Sequence, residues 1–125
     1  MKLLLRADQR SSLLGGKIVF TLAVRADISR DEQVNIDKYK LGETVLYEKN
    51  TITGGSGLLG AASRLAYKAM NISVSVNDLT GGKKIECKDI VEMMAVIDQI
   101  KEAAQTFKAV LDTASHFGGE EVIEL

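Results

Sequence analysis

The residues best suited to chemistry lie in one glycine-rich stretch, Thr53-Gly54-Gly55-Ser56-Gly57-Leu58-Leu59-Gly60. Within it, Gly55-x-Gly57-x-x-Gly60 has the spacing that lets a backbone turn tightly and offer the free N–H groups of a helix start to a phosphate. Gly55, Ser56, Gly57 and Gly60 are therefore the candidate ligand-binding residues. Asp78 joins them, roughly 20 residues beyond Gly57. Lys49 is a counter-charge close to the loop.

Other reactive side chains are sparse. One histidine, His116, and one cysteine, Cys87, cannot build a zinc site of the usual kinds. As a nucleophile and base they would sit near opposite ends of one long helix, roughly 40 Å apart. A serine nucleophile would have only His116 as its base. Asp31 and Glu32 fall in the first turn of a helix, where they complement its dipole. Asp98 and Glu102, four residues apart on a polar helix face, read as solvated charge. No catalytic residue, metal site or cofactor is expected from these groups.

Composition narrows the partners. With 16 basic and 17 acidic residues spread along 125, the formal charge is −1, which argues against a dedicated nucleic-acid or anionic-membrane surface. No tryptophan is present, and three Tyr and three Phe are scattered over different elements, so the single-strand stacking platform is missing. The opening Met1-Lys2-Leu3-Leu4-Leu5 starts like a signal peptide, but Arg6, Asp8 and Arg10 interrupt it. No apolar run approaches the roughly 20 residues of a membrane span. A lone cysteine suits a reducing compartment, so the expected location is cytoplasmic.

The elements that must position these groups can be read from periodicity. Residues 2–7 and 17–27 alternate as strands joined by a turn rich in Ser and Gly, an antiparallel hairpin. Ser29-x-x-Glu32 is a capping box that opens a helix running to about Tyr39 or Lys40, with Gly42 as its left-handed stop. Glu43 to Lys49 reads as a strand with Val45 and Tyr47 on one side and Leu46 on the other. A helix is expected from about Gly57 to Met70. Beyond it, Ile72, Val74 and Val76 alternate with polar residues, Asp78 to Gly82 turns, and Ile85 and Cys87 form the inner face of a returning strand. This reads as a second hairpin.

The last third is one long helix, capped at Asp89 and ended by Gly118-Gly119. Ile90, Met93, Ile97, Ile100, Ala104, Phe107, Leu111 and Ala114 recur at alternating intervals of three and four, a heptad seam widened by Val96, Ala103 and Val110. Such a seam suits self-association, so Ile97, Ile100, Ala104, Phe107 and Leu111 are the candidate interface residues. The closing run Glu120 to Leu125 suits an edge strand.

The segment Ile52 to Asp78, which contains the loop, resembles the cofactor-binding start of short-chain dehydrogenase/reductase proteins. That resemblance implies NAD(P) or another nucleotide as ligand, with Gly54, Gly57 and Gly60 shaping the pyrophosphate turn and Asp78 holding the ribose. Several residues depart from the pattern. Glu48, Lys49 and Asn50 stand where a buried strand should lead into the loop. Ser73, Ser75 and Asn77 alternate with the valines, which a buried parallel strand would not show. The family's Tyr-x-x-x-Lys pair is missing: Glu43, Thr51 and Asn71 occupy the fourth position after Tyr39, Tyr47 and Tyr67. The local reading is a glycine turn that opens a helix, with anion or nucleotide binding as the alternative.

The sequence therefore predicts one α+β domain spanning 1–125. Its sheet is mostly antiparallel, of five or six strands, covered by about three helices including the long C-terminal one. The expected function is a non-enzymatic binding or assembly module that forms a homo-oligomer, a dimer first of all. A larger protein partner is the other form this takes.

Overall fold

The computed structural model describes residues 1–11, 16, 18–49, 72–119 and 122–125. The glycine-rich loop and the helix expected at 57–70 lie outside the described residues. Among those described, the architecture is α+β with five strands, three helices and antiparallel pairing throughout. The expectation of one large sheet is corrected: the strands form a three-stranded sheet and a separate two-stranded one.

The first sheet is built on the opening hairpin. Strands β1 (Lys2–Ser11) and β2 (Ile18–Asp27) pair antiparallel from Lys2↔Asp27 to Ser11↔Ile18. β2 is the central strand, because β5 (Lys83–Cys87) pairs on its other edge. Its alternation is expressed as burial: Leu22, Val24 and Ala26 point into the core, while Arg25 and Asp27 are exposed. β5 obeys the same rule, with Ile85 and Cys87 inside and Lys84 and Glu86 outside. β1 is an edge strand and almost wholly exposed. Its inner-face Leu5 is still 40% accessible, so the core under the hairpin belongs to β2.

Helix α1 (Arg30–Lys38) starts as its sequence requires. The Glu32 N–H donates to the Ser29 hydroxyl at 3.2 Å, and the Glu32 carboxylate accepts the Ser29 N–H at 3.1 Å. That carboxylate also accepts from the Met1 ammonium at 2.7 and 2.9 Å, which ties β1 to the start of α1. The stop differs from expectation. The left-handed residue is Lys40, at φ 56°, not Gly42. The Leu41 N–H reaches the Ile36 carbonyl and the Lys40 N–H reaches that of Asp37, a Schellman pair that closes the helix two residues before the glycine. Gly42 sits close to Asn77 instead: a Cβ there would overlap the exposed Asn77 carboxamide, which would have to swing aside.

Strand β3 (Val45–Lys49) pairs with β4 (Ile72–Ser75), and its register slips between Val45 and Tyr47. The extra residue, Leu46, breaks the alternation. Leu46 and Tyr47 are therefore both buried and Val45 is exposed, in place of the Val45/Tyr47 face expected from period two.

The second expected hairpin does not form. Residues 76–81 are a short helix, α2 (Val76–Gly81), which sends β4 to one sheet and β5 to the other. Ser75-x-x-Asp78 is a second capping box: the Asp78 N–H donates to the Ser75 hydroxyl at 3.2 Å and the Asp78 carboxylate accepts the Ser75 N–H at 2.9 Å. Val76 and Leu79, three apart, are both fully buried on one helix face. Six residues are far below the length at which a helix holds alone, so this tertiary burial sustains α2.

Helix α3 (Ile90–Ser115) is 26 residues long, about 39 Å at 1.5 Å per residue. Asp89 caps it through the Glu92 N–H at 2.7 Å, and Gly118 at φ 88° lies just past its end. Met93, Val96, Ile100, Ala104, Phe107, Leu111 and Ala114 are its buried residues. The seam thus faces the chain's own core, where Val96, Ile100, Phe107 and Leu111 join Leu22, Val74 and Ile85.

Candidate functional site

Of the predicted ligand-binding residues, Gly55, Ser56, Gly57 and Gly60 lie outside the described residues. Asp78 is the second half of the capping box that opens α2. Its carboxylate is occupied by the Ser75 N–H, and that hydrogen bond holds its pKa below the ordinary 3.8 despite slight burial. Lys49, the proposed counter-charge, is engaged as well: its ammonium donates to Glu92 at 2.6 Å.

That ion pair belongs to a polar cluster the fold brings together from distant parts of the chain. β3 supplies Tyr47 and Lys49, β5 supplies Cys87, and the first turn of α3 supplies Glu92. The second Glu92 oxygen accepts the Lys88 N–H at 3.4 Å. The hydrogen bond from Lys49 to Glu92 keeps that ammonium protonated above its usual range, against a partial burial that works the other way. Burial raises the Tyr47 phenol, opposed by Lys49, and burial raises the Cys87 thiol, reinforced by the Glu92 charge. A nucleophilic thiol needs the opposite shift. The Lys49–Glu92 pair joins β3 to α3, and burial holds the Cys87 thiol above its ordinary range. In the native protein, Cys87 is expected to react with iodoacetamide at neutral pH at least about tenfold more slowly than in denaturant. Comparable rates in the two states would remove this reading.

Acid should weaken the fold through the two capping carboxylates. Burial pushes Glu32 up, but the Met1 ammonium and the Ser29 hydrogen bonds outweigh it, so its pKa falls below the ordinary 4.5. Asp78 is depressed for the reason given above. A carboxyl with a lowered folded-state pKa stabilises the native state above its unfolded pKa and loses that contribution as pH falls through the folded one. Thermal midpoints should therefore hold down to about pH 5 and drop progressively below the ordinary values of 4.5 and 3.8. Ser75→Ala with Asp78→Asn should flatten the lower part of that curve. An unchanged profile in the double variant would exclude the Asp78 contribution.

His116 closes α3, with Nδ1 2.6 Å from the Asp112 carbonyl. Cys87 precedes the opposite end of that helix, so the two do not meet. Among the described residues no group of three or more His, Cys, Asp or Glu can hold a metal, and no helix is long and apolar enough to cross a membrane.

The predicted interface residues are on α3 but not at its surface. Ile100, Ala104, Phe107 and Leu111 are buried within the chain, and Ile97 is half-buried. The exposed apolar side chains sit beside them. Two adjoining hollows of about 630 and 440 Å³ run along the C-terminal half of α3 and share Leu41, Thr106 and Val110. Thr44, Val45 and Leu46 of the β3 segment form the opposite wall of the first. Tyr39 and Phe117 close the second, packed edge to face with ring centres 5.2 Å apart. Val45 and Val110 remain 49% and 43% exposed, so the groove is open to solvent.

Of the residues that line the groove, Ala103, Phe107, Val110 and Ala114 had a sequence signal, in the heptad stripe or its widening. Tyr39, Leu41 and Phe117 had none, because they come from helix ends and loops whose neighbours are set by the fold.

No protein-family model, no curated protein and no solved structure matches this chain.

Proposed function

We propose that this protein is a non-enzymatic binding module that assembles with a second copy of itself through the groove along α3. The open apolar channel between α3 and the Tyr39–Leu46 segment carries the reading. Exposed aliphatic and aromatic side chains rimmed by polar ones are the usual composition of a docking surface. The polar groups suited to chemistry among the described residues support it from the other side. Lys49, Glu92 and Asp78 are each satisfied within the fold, and Cys87 is buried with a raised pKa. A cytoplasmic location suits this reading, since a lone thiol stays reduced there.

Light scattering coupled to size exclusion, over a concentration series, tests it. The chain should run as a dimer at high concentration and dissociate on dilution. Val110→Glu places a charge in the groove at an exposed helical position and should shift the protein to monomer with its circular dichroism unchanged. A wild-type chain that stays monomeric at every concentration would end the proposal.

A further inference from the structure

A separate hollow, of about 410 Å³, opens where β1, β2 and the start of β5 meet, and shares no residue with the α3 groove. Arg6, Arg25, Lys83 and Lys84 line it, and among the described residues no acidic one does. We infer that this hollow binds a small anionic amphiphile, a molecule with one phosphate, sulfate or carboxylate head and a short apolar tail. The inference is independent of self-association.

The strand register builds the site. Arg6, Ala23 and Lys84 stand in one row across β1, β2 and β5, and Leu4 faces Arg25 in a neighbouring row on the same side of the sheet. Adjacent strands lie about 4.8 Å apart, so the backbones of Arg6 and Lys84 are roughly 10 Å from each other. Only the Ala23 methyl stands between them, which leaves a gap for one anionic group flanked by two long, flexible cations. Arg25, two residues along from Ala23, supplies a third. Apolar surface adjoins these charges. Leu4 and Leu5 are 43% and 40% exposed. A Cβ at Gly81 or Gly82 would meet nothing within 4 Å, so that wall is open. The volume falls within the roughly 300–1,000 Å³ of small-molecule pockets.

Charge selects a small ligand over a large one. Of the four cations, Arg6 alone enters an ion pair among the described residues, with Asp8 at 3.3 Å on the surface. Lys83 acts on Asp78 through its field without a direct contact. Like charges gathered this closely repel one another, and an anion among them relieves that repulsion. The positive region is nevertheless small. Asp8, Asp27 and Glu86 stand two residues beyond Arg6, Arg25 and Lys84 on the same side of the sheet. A nucleic acid or an anionic membrane laid across this sheet would meet those carboxylates, whereas a ligand confined to the hollow meets none of them.

Calorimetric titration of the full chain decides the matter, with octyl phosphate below its micelle concentration as the probe. Saturable binding at one site is expected, at least about tenfold tighter than that of octyl glucoside or inorganic phosphate, which lack the charge and the tail respectively. Arg25→Gln combined with Lys84→Gln should weaken it by at least about tenfold, and so should Ala23→Leu, which fills the gap without altering charge. Lys2→Gln combined with Arg10→Gln removes the same charge outside the hollow and should leave affinity within about twofold of wild type. Circular dichroism should be unchanged in every variant, because none of these side chains is buried. Absence of saturable binding, or equal affinity for either comparison compound, would overturn the inference. Equal loss in the two charge variants would do the same, as would wild-type affinity in the Arg25/Lys84 variant or in Ala23→Leu.

Discussion

Replacing Ile100 by alanine is expected to lower the stability of the chain by about 3–4 kcal/mol, at protein concentrations low enough that only monomer is present. Ile100 is 0% exposed and lies in the core cluster with Val96, Phe107, Leu22 and Ile85. Truncating it removes three carbons and leaves a cavity that the surrounding β2 and β5 side chains refill only in part. At roughly 3–5 °C per kcal/mol for a chain of this size, the melting temperature should fall by about 10–15 °C. Urea unfolding of the dilute protein checks it. The same substitution separates two roles for the α3 seam. A residue that served an interface would leave the dilute monomer as stable as before and weaken only association, so a monomer unaffected by Ile100→Ala would contradict the packing described here.

The second large effect is expected at Leu79. In a hairpin with its turn at 78–82, Leu79 would be an exposed turn residue and Leu79→Ala would change little, within about 0.5 kcal/mol. In the structure Leu79 is 0% exposed, on the buried face of α2 beside Val76. Truncation should cost about 2–4 kcal/mol, and it should also loosen α2, whose six residues have little helical stability of their own. Amide exchange in α2 should accelerate more than exchange in β2. A near-neutral Leu79→Ala would favour the hairpin over the helix.

These two positions mark where local pattern sufficed and where it did not. The hairpin of β1 and β2, the capping box at Ser29 and Glu32, and the span of α3 were all legible, because each depends on residues within a few positions of one another. The segment at 72–82 held two local signals at once. Ile72, Val74 and Val76 have the period of a strand, while Ser75 and Asp78 have the spacing of a capping box. The deciding term is the burial of Val76 and Leu79, and only the folded chain supplies the surface that buries them. The same holds for Leu46, whose bulge turns two consecutive residues inward, and for Gly42, which lies close to Asn77 rather than ending a helix.

The candidate site divides along the same line. From the heptad stripe it was clear that α3 must bury a broad apolar face, since intervals of three and four place those side chains on one side of any helix. Which surface meets that face is a non-local matter, and the structure answers with the chain's own strands. The apolar surface left open is the adjacent one, formed by Val110 and Phe117 together with Tyr39, Leu41 and Val45 from distant segments. By itself the sequence determined the elements, their caps and their apolar faces, because hydrogen-bond spacing and side-chain periodicity act over a few residues. The tertiary structure decided how the strands divide between two sheets, which polar groups satisfy one another, and where the open groove runs. Those outcomes depend on contacts between residues far apart in the chain, whose energies exist only once the chain has closed on itself.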